Sequence, residues 1–111
     1  MSADFQISAK LLLNTTSTGD GSIVNFIQPV TVASFQCELF GAPTRAQVNI
    51  MGILDGATFD TLAVMDTAQG YLSGEIVTFN FPIAVRTVKA NIGVLSGGTN
   101  PAVSCYMNAR A

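Results

Sequence analysis

The chain has 111 residues, with 5 Lys and Arg, 7 Asp and Glu and no His, and its net charge is −2. A chain of this length forms one domain that can bury a real core, and so few titratable groups argue against an enzyme. No cluster of basic residues favours nucleic acid or an anionic membrane as a partner. No apolar run approaches the ~18 residues of a membrane helix. We expect neither a metal nor a cofactor.

The surface is expected to be neutral. Only 11% of the residues are charged, which is low for a free monomer of this size. An exterior made mainly of Ser, Thr, Asn, Gln, Ala and Gly is adhesive, because a charge near zero promotes association. We therefore favour a subunit that packs against neighbours over a neutral, soluble monomer.

Alternating apolar and polar residues predict strands in the N-terminal half of the chain, over residues 5–11, 22–27, 30–40 and 46–54. The turn-forming residues 14–21 predict an exposed loop. Pro29 is expected to separate the second strand from the third, because proline cannot donate a ladder hydrogen bond. In the fourth strand, the clearest of them, Val48 and Ile50 share one face and Gln47 and Asn49 lie on the opposite face. The Asp55-Gly56 pair predicts a tight turn after it.

The C-terminal half continues the same pattern, with strands predicted over residues 59–65, 75–81, 83–95 and 102–107. Pro82 is expected to end the strand 75–81, residues 66–74 form a loop, and the Gly-rich stretch 96–101 forms a turn. Seven or eight strands with turns about every 8–12 residues are typical of an all-β fold. We therefore predict a single antiparallel β-sandwich or jelly-roll-like domain over residues 1–111.

The two cysteines lie in apolar strand patterns. Cys37 shares a face of its strand with Phe35, while Ser34 and Gln36 fall on the opposite face. Cys105 alternates in the same way in the last strand, so both are expected to be buried, although sequence alone does not bring them together. Residues 1–6 lack the basic segment and apolar run of a signal peptide, which predicts synthesis in the cytosol with reduced thiols.

Clusters of acidic residues offer two sites that we consider and set aside. Asp55, Asp60 and Asp66 could in principle bind calcium, but their spacing does not match a calcium loop and Asp is a common turn residue. Glu38 and Glu75 are the only glutamates. Each lies in a strand pattern among polar neighbours, which favours solvated or interface positions over the facing carboxylates of a glycosidase.

Contact with a partner is the function that the composition favours, and a few residues are its candidates. Loop residues and aromatic or apolar residues outside the predicted core are the expected contact points; these candidate contact residues are Phe5, Thr16, Ser17, Phe40, Tyr71 and Leu72. Residues 1–5 are expected to form either an extended arm that docks on a neighbour or a frayed terminus.

The second half of the chain carries a recognisable series of motifs. A strand ends in Gly52-Ile53-Leu54-Asp55-Gly56, a later strand ends in Phe79-Asn80-Phe81-Pro82, and Val85-Arg86-Thr87-Val88-Lys89-Ala90 follows. The series closes with a Gly-Gly turn and Val103-Ser104-Cys105-Tyr106-Met107. These motifs resemble small β-sandwich structural proteins of tailed bacteriophages, the head decoration (cement) or neck and tail accessory type. Ile53 stands where that pattern usually has a small polar residue, so we expect it to be buried or in contact.

The resemblance implies a capsid decoration subunit that binds and stabilises the assembled phage head. Its partners would be the major capsid protein or other virion proteins, and it would be a homo-oligomer, with a trimer favoured. It would be made in the host cytoplasm and reside in the virion. The alternatives are a neck, tail or fibre accessory protein, and a carbohydrate-binding receptor-recognition module. The last would use Tyr71 beside Gln69 or Tyr106 beside Asn108 as its aromatic platform.

Overall fold

The fold is known from a computed structural model, which describes residues 6–53 and 57–110, without the side chains of residues 6–8, 27–29, 82–84 and 110. The described residues form seven strands and one short 3-10 helix, Thr67–Gln69: β1 Gln6–Thr15, β2 Gly19–Asp20, β3 Val24–Phe40, β4 Arg45–Ile53, β5 Phe59–Asp66, β6 Ile76–Ser96 and β7 Ala102–Arg110. The predicted all-β class is confirmed. The predicted arm over residues 1–5 and the Asp55-Gly56 turn lie outside the described residues.

The strands form one antiparallel sheet in the order β1-β7-β3-β6-β4-β5, with β2 added to β6. The sheet folds over on itself, because the Cys37 Sγ atom in β3 lies 3.8 Å from the Met65 Sδ atom in β5, two strands beyond β6 in that order. One layer therefore contains β1, β7 and the C-terminal part of β3, and the other contains β4, β5 and the C-terminal part of β6. This is the arrangement of a β-sandwich.

The two long strands pass through positions where the sequence predicted breaks. Pro29 lies within β3 and Pro82 lies within β6, so that eight predicted segments merge and, with β2, give seven strands. Each proline lies in a bulge next to the Val30–Val85 pair. Before Val30, four residues of β3, including Pro29, lie opposite a single residue of β6. Before Val85, four residues of β6, including Pro82, lie opposite a single residue of β3. Bulges bend a strand and accommodate a residue that cannot donate to the ladder.

The core lies between the layers and follows the predicted alternation. Along β4 the even positions 46–52 are buried and the odd ones are not, as expected for a strand with one face on the core. Phe35 and Val85 are fully buried, and the Phe35 ring lies 5.9 Å from that of Phe79. Ile53 is half-buried at the end of β4. In the described part of the chain, no helix has the length and apolar character to cross a membrane.

Candidate functional site

Two of the candidate contact residues lie in the exposed loop between β1 and β2. Thr16 and Ser17 are exposed, as predicted for this loop. The loop is fixed at its far end by Asp20, whose carboxylate accepts hydrogen bonds from Lys89 Nζ at 2.9 Å and from Asn91 Nδ2 at 2.8 Å. These two hydrogen bonds hold the pKa of Asp20 below its ordinary value. The loop is thus presented from a fixed point on the outer surface of β6.

Two further candidates, Phe40 and Leu72, are apolar and exposed. Phe40, the last residue of β3, is 42% exposed, and Leu72 in the loop between β5 and β6 is 69% exposed. Their backbones lie near each other, because the Ser73 hydroxyl accepts a hydrogen bond from the Leu39 backbone N–H at 2.8 Å. Phe5, the remaining apolar candidate, lies outside the described residues.

Tyr71 is placed differently, because its hydroxyl is used within the fold. It accepts a hydrogen bond from the backbone N–H of Cys37 at 2.8 Å and lies 2.6 Å from the carbonyl oxygen of Glu75, to which it donates. Burial raises the pKa of the Tyr71 phenol to about 12. The ring is half-buried and packs against the core cluster. Tyr71 therefore anchors the loop on which Leu72 is exposed.

The start of the same loop is held by an ion pair. Asp66 is 5% exposed. Its carboxylate accepts hydrogen bonds from Arg45 Nη2 and from the backbone N–H of Ala68, both at 2.9 Å, so it also caps the 3-10 helix. The hydrogen bond from Arg45, and to a smaller extent the one from the Ala68 N–H, hold the pKa of Asp66 below its usual range. This carboxylate is structural: it does not meet Asp60, which is exposed on β5, and Asp55 lies outside the described residues.

The structure also brings together residues that the sequence analysis did not combine. Lys10, Tyr106, Gln36 and Ile76 occupy successive register positions on β1, β7, β3 and β6, and so form one row across four strands. Ser34 and Asn108 belong to the adjacent row on the same surface. The alternation of residues 30–40 had already placed Ser34 and Gln36 away from the core. What the sequence lacked was the strand order, which pairs β3 with β7 and β6.

These six residues line a groove of about 450 Å³ on the outer surface, which we call the Tyr106 groove: Lys10, Ser34, Gln36, Ile76, Tyr106 and Asn108. Its polar groups are held in place, because Gln36 Nε2 donates to the Gly74 carbonyl at 2.9 Å and Ser34 Oγ lies 2.7 Å from Thr78 Oγ1. Ile76 is 66% exposed at its edge. An aromatic ring with fixed amide and hydroxyl groups beside it suits a ligand that has both an apolar and a hydroxylated face.

No protein-family model matches the sequence, and no curated protein gives a significant match to it. Solved structures do match. The SPBc2 prophage-derived protein YomS has a TM-score of 0.69 at 10% identity, and the match covers 100% of this chain and 97% of YomS. The chain has the fold of this prophage-derived protein. The PBSX exported protein XepA matches with a TM-score of 0.72 at 14% identity, over 100% of this chain and 39% of XepA.

The fold also occurs outside phage-derived proteins. The Yersinia pseudotuberculosis-derived mitogen matches with a TM-score of 0.55 at 5% identity, over 100% of this chain and 87% of the mitogen. At identities this low, structural similarity establishes the fold, and the activity has to be argued from the residues of this chain. The predicted resemblance to small β proteins of phages is therefore confirmed at the level of the fold.

Proposed function

We propose that this chain is a virion-associated structural protein of a phage. The observation that carries the proposal is the end-to-end match with YomS, which covers 100% of this chain and 97% of that prophage-derived protein. The composition supports the same proposal, since 11% charged residues and no His leave little for proton-transfer chemistry.

Within the virion, the proposed position is the outside of the head, as a decoration subunit that stabilises the assembled shell. Large apolar side chains that stay exposed support adhesion through burial, and the ones proposed to contact the shell are Phe40 and Leu72, which are 42% and 69% exposed. The proposed partners are the major capsid protein and further copies of the chain, with a trimer as the proposed oligomer. Repeated contacts around a shell add up through multivalency, so each single contact needs only modest affinity.

The test is a copy count on native particles. Particles of the phage that encodes the chain are purified on a density gradient, and the chain is quantified against the major capsid protein by mass spectrometry. A decoration subunit is expected in numbers comparable to the capsid protein. A small fixed number of copies would move the protein to the neck, tail or fibres and overturn the decoration role. Its absence from particles would overturn virion association altogether.

The proposed contact surface is tested on the same particles. Leu72→Ser removes an exposed apolar side chain from the loop that Ser73 joins to Leu39, the residue before Phe40. Val64→Ser removes an exposed apolar side chain from β5 and serves as the matched control. We expect Leu72→Ser, and deletion of residues 1–4 ahead of Phe5, to lower occupancy on the particles while Val64→Ser leaves it unchanged. Changes at Thr16 and Ser17 probe the β1–β2 loop in the same way. Equal occupancy for all of these variants would contradict this contact surface.

Carbohydrate binding is a second candidate function, and the Tyr106 groove is the observation that favours it. A tyrosine ring stacks on the apolar face of a sugar while amides and hydroxyls fix its orientation. The groove holds such groups in Gln36, Ser34 and Asn108. Wild-type protein is screened on a glycan array, and Tyr106→Ala is expected to abolish any binding that Leu13→Ala, a change outside the groove, preserves. An array without signal, or binding that survives Tyr106→Ala, would contradict this candidate.

A further inference from the structure

The two cysteines are direct neighbours in the folded chain. Cys37 on β3 and Cys105 on β7 are register partners, so their side chains project from the same face of adjacent antiparallel strands. Both are 0% exposed and both are free thiols. They are separated by most of the sequence, and the sequence analysis had no means of bringing them together.

The hydrogen bonds around Cys37 define the type of this pair. Its backbone N–H donates to the Tyr71 hydroxyl at 2.8 Å, and its carbonyl oxygen accepts from the Gly74 N–H at 2.9 Å. The backbone N–H and carbonyl of Cys37 therefore point away from β7 and make no hydrogen bonds to it. Cys37 and Cys105 therefore form a non-hydrogen-bonded pair, the type in which facing side chains are closer and Cα atoms lie roughly 4.5 Å apart. Disulfides span Cα separations of about 4.4–6.8 Å.

We propose that Cys37 and Cys105 are a modification site: an intramolecular, cross-strand disulfide that closes when the folded protein meets a peroxide. One thiol attacks the peroxide oxygen and becomes a sulfenic acid with release of one water. The second thiol then displaces the hydroxyl group of the sulfenic acid, which forms the S–S bond and releases a second water. In total two thiols and one hydrogen peroxide give one disulfide and two waters. The inference is independent of the virion role.

The surroundings of the pair predict that closure is slow. The Cys105 thiol, to which Cys37 is hydrogen-bonded, and burial raise the pKa of the Cys37 thiol, and the thiol form is a poor nucleophile. Access to the pair requires local opening at the edge of β3, which the Tyr71 loop covers. Because Tyr71 holds this loop on Cys37, loosening it with Tyr71→Phe is expected to speed disulfide formation.

Closure is expected to stabilise the protein. The bond would join β3 to β7. In the unfolded state it would close a loop of more than half the chain, because Cys37 and Cys105 enclose four of the strand-to-strand connections. Long closed loops gain the most in the chain-entropy model, and the expected rise in Tm is roughly 5–15 °C. The free thiols of the reduced protein would disappear together, not one at a time.

The experiment follows intact mass, thiol count and Tm of purified wild-type protein during exposure to dilute hydrogen peroxide. We expect a monomer lighter by about 2 Da, for the two hydrogens removed, a Cys37–Cys105 linked peptide, a higher Tm, and reversal by dithiothreitol. Cys37→Ser and Cys105→Ser are the matched controls, and neither should lose mass or gain Tm. Tyr71→Phe should shorten the half-time several-fold.

Three results would overturn the proposal. The first is a folded protein that keeps both thiols under conditions in which the denatured chain oxidises. The second is a disulfide that joins two chains. The third is a linked monomer with a lower Tm than the reduced protein, because it would mean that the folded pair does not fit the bond.

Discussion

The Tyr71 hydroxyl lies 2.8 Å from the backbone nitrogen of Cys37 and accepts its hydrogen bond. This hydrogen bond satisfies a backbone group of β3 that has no partner in β6. The pairing of β3 with β6 ends at Gln36 and Ile76, and beyond it the Tyr71 and Ser73 hydroxyls and the Gly74 N–H bond to the backbone of β3. The loop before β6 therefore protects an edge that would otherwise expose unpaired groups, and it carries Leu72 to the surface.

Tyr71→Phe tests whether this hydroxyl stabilises the fold. The substitution keeps the ring and leaves the Cys37 N–H without its acceptor, so the free energy of unfolding should fall by about 1–3 kcal/mol in urea titrations. Tyr106→Phe is the matched control, because it removes the same atom from a ring in the outer groove. It should change the free energy of unfolding by less than about 0.5 kcal/mol. Equal effects of the two substitutions would contradict the anchoring role.

The same burial predicts how the protein behaves in alkali. Burial raises the pKa of Tyr71 to about 12, above the value of about 10 for an unfolded tyrosine. The neutral phenol is thus favoured in the fold, and its contribution to stability is present below about pH 10 and is lost as the pH rises through 12. The chain has two tyrosines, so Tyr106→Phe leaves Tyr71 as the only one. Its phenolate absorbance should appear near pH 12 in the folded variant and near pH 10 in urea.

Much of the fold was predictable because strand periodicity is local. The alternation of Val48 and Ile50 with Gln47 and Asn49 was enough to place β4 and to separate its two faces, and the structure buries the face that carries Val48 and Ile50. The two prolines were harder. Pro29 and Pro82 each signal a missing ladder donor, but whether a strand stops or bulges there depends on the partner strand, which the sequence of one segment does not contain.

The candidate site was less predictable, because its parts come from strands that are distant in sequence. The residues around Tyr71 in the sequence favoured an exposed position, because none of them indicated that its hydroxyl would hydrogen-bond to the backbone of Cys37. The Tyr106 groove depends on the neighbours of β7 in the sheet order. Gln36 and Tyr106 were each placed on an outward face by alternation, and only the register made them adjacent.

Acid should weaken the ion pair that holds the start of the Tyr71 loop. Because Arg45 and the Ala68 N–H lower the pKa of Asp66, its contribution to stability is present above its unfolded pKa of about 4 and is lost as the pH falls through the lower folded value. Asp66→Asn removes the charge and keeps an oxygen that can still cap Ala68. Its Tm should be below that of the wild type at pH 7.

The difference between the wild type and Asp66→Asn should then shrink in thermal melts as the pH falls from about 4 toward 2. Asp20 also has a lowered pKa and is unchanged in both proteins, so the difference isolates Asp66. Asp60→Asn, at an exposed position on the same strand, serves as the control. A Tm gap that stays constant between pH 7 and 2 would contradict the ion-pair explanation.

Gly52 is required because β4 passes close to its neighbours at this point. A Cβ atom there would lie 2.6 Å from Leu62 Cδ1 and 3.0 Å from Val85 Cγ1, and Val85 is fully buried. Gly52→Ala should therefore lower the free energy of unfolding by about 1–3 kcal/mol through overpacking. Gly93→Ala is the matched control in β6, because the nearest atoms to its Cβ are the ends of the Asn49 and Gln47 side chains, which can move aside. Urea titrations that rank Gly93→Ala as the more destabilising change would contradict close packing at Gly52.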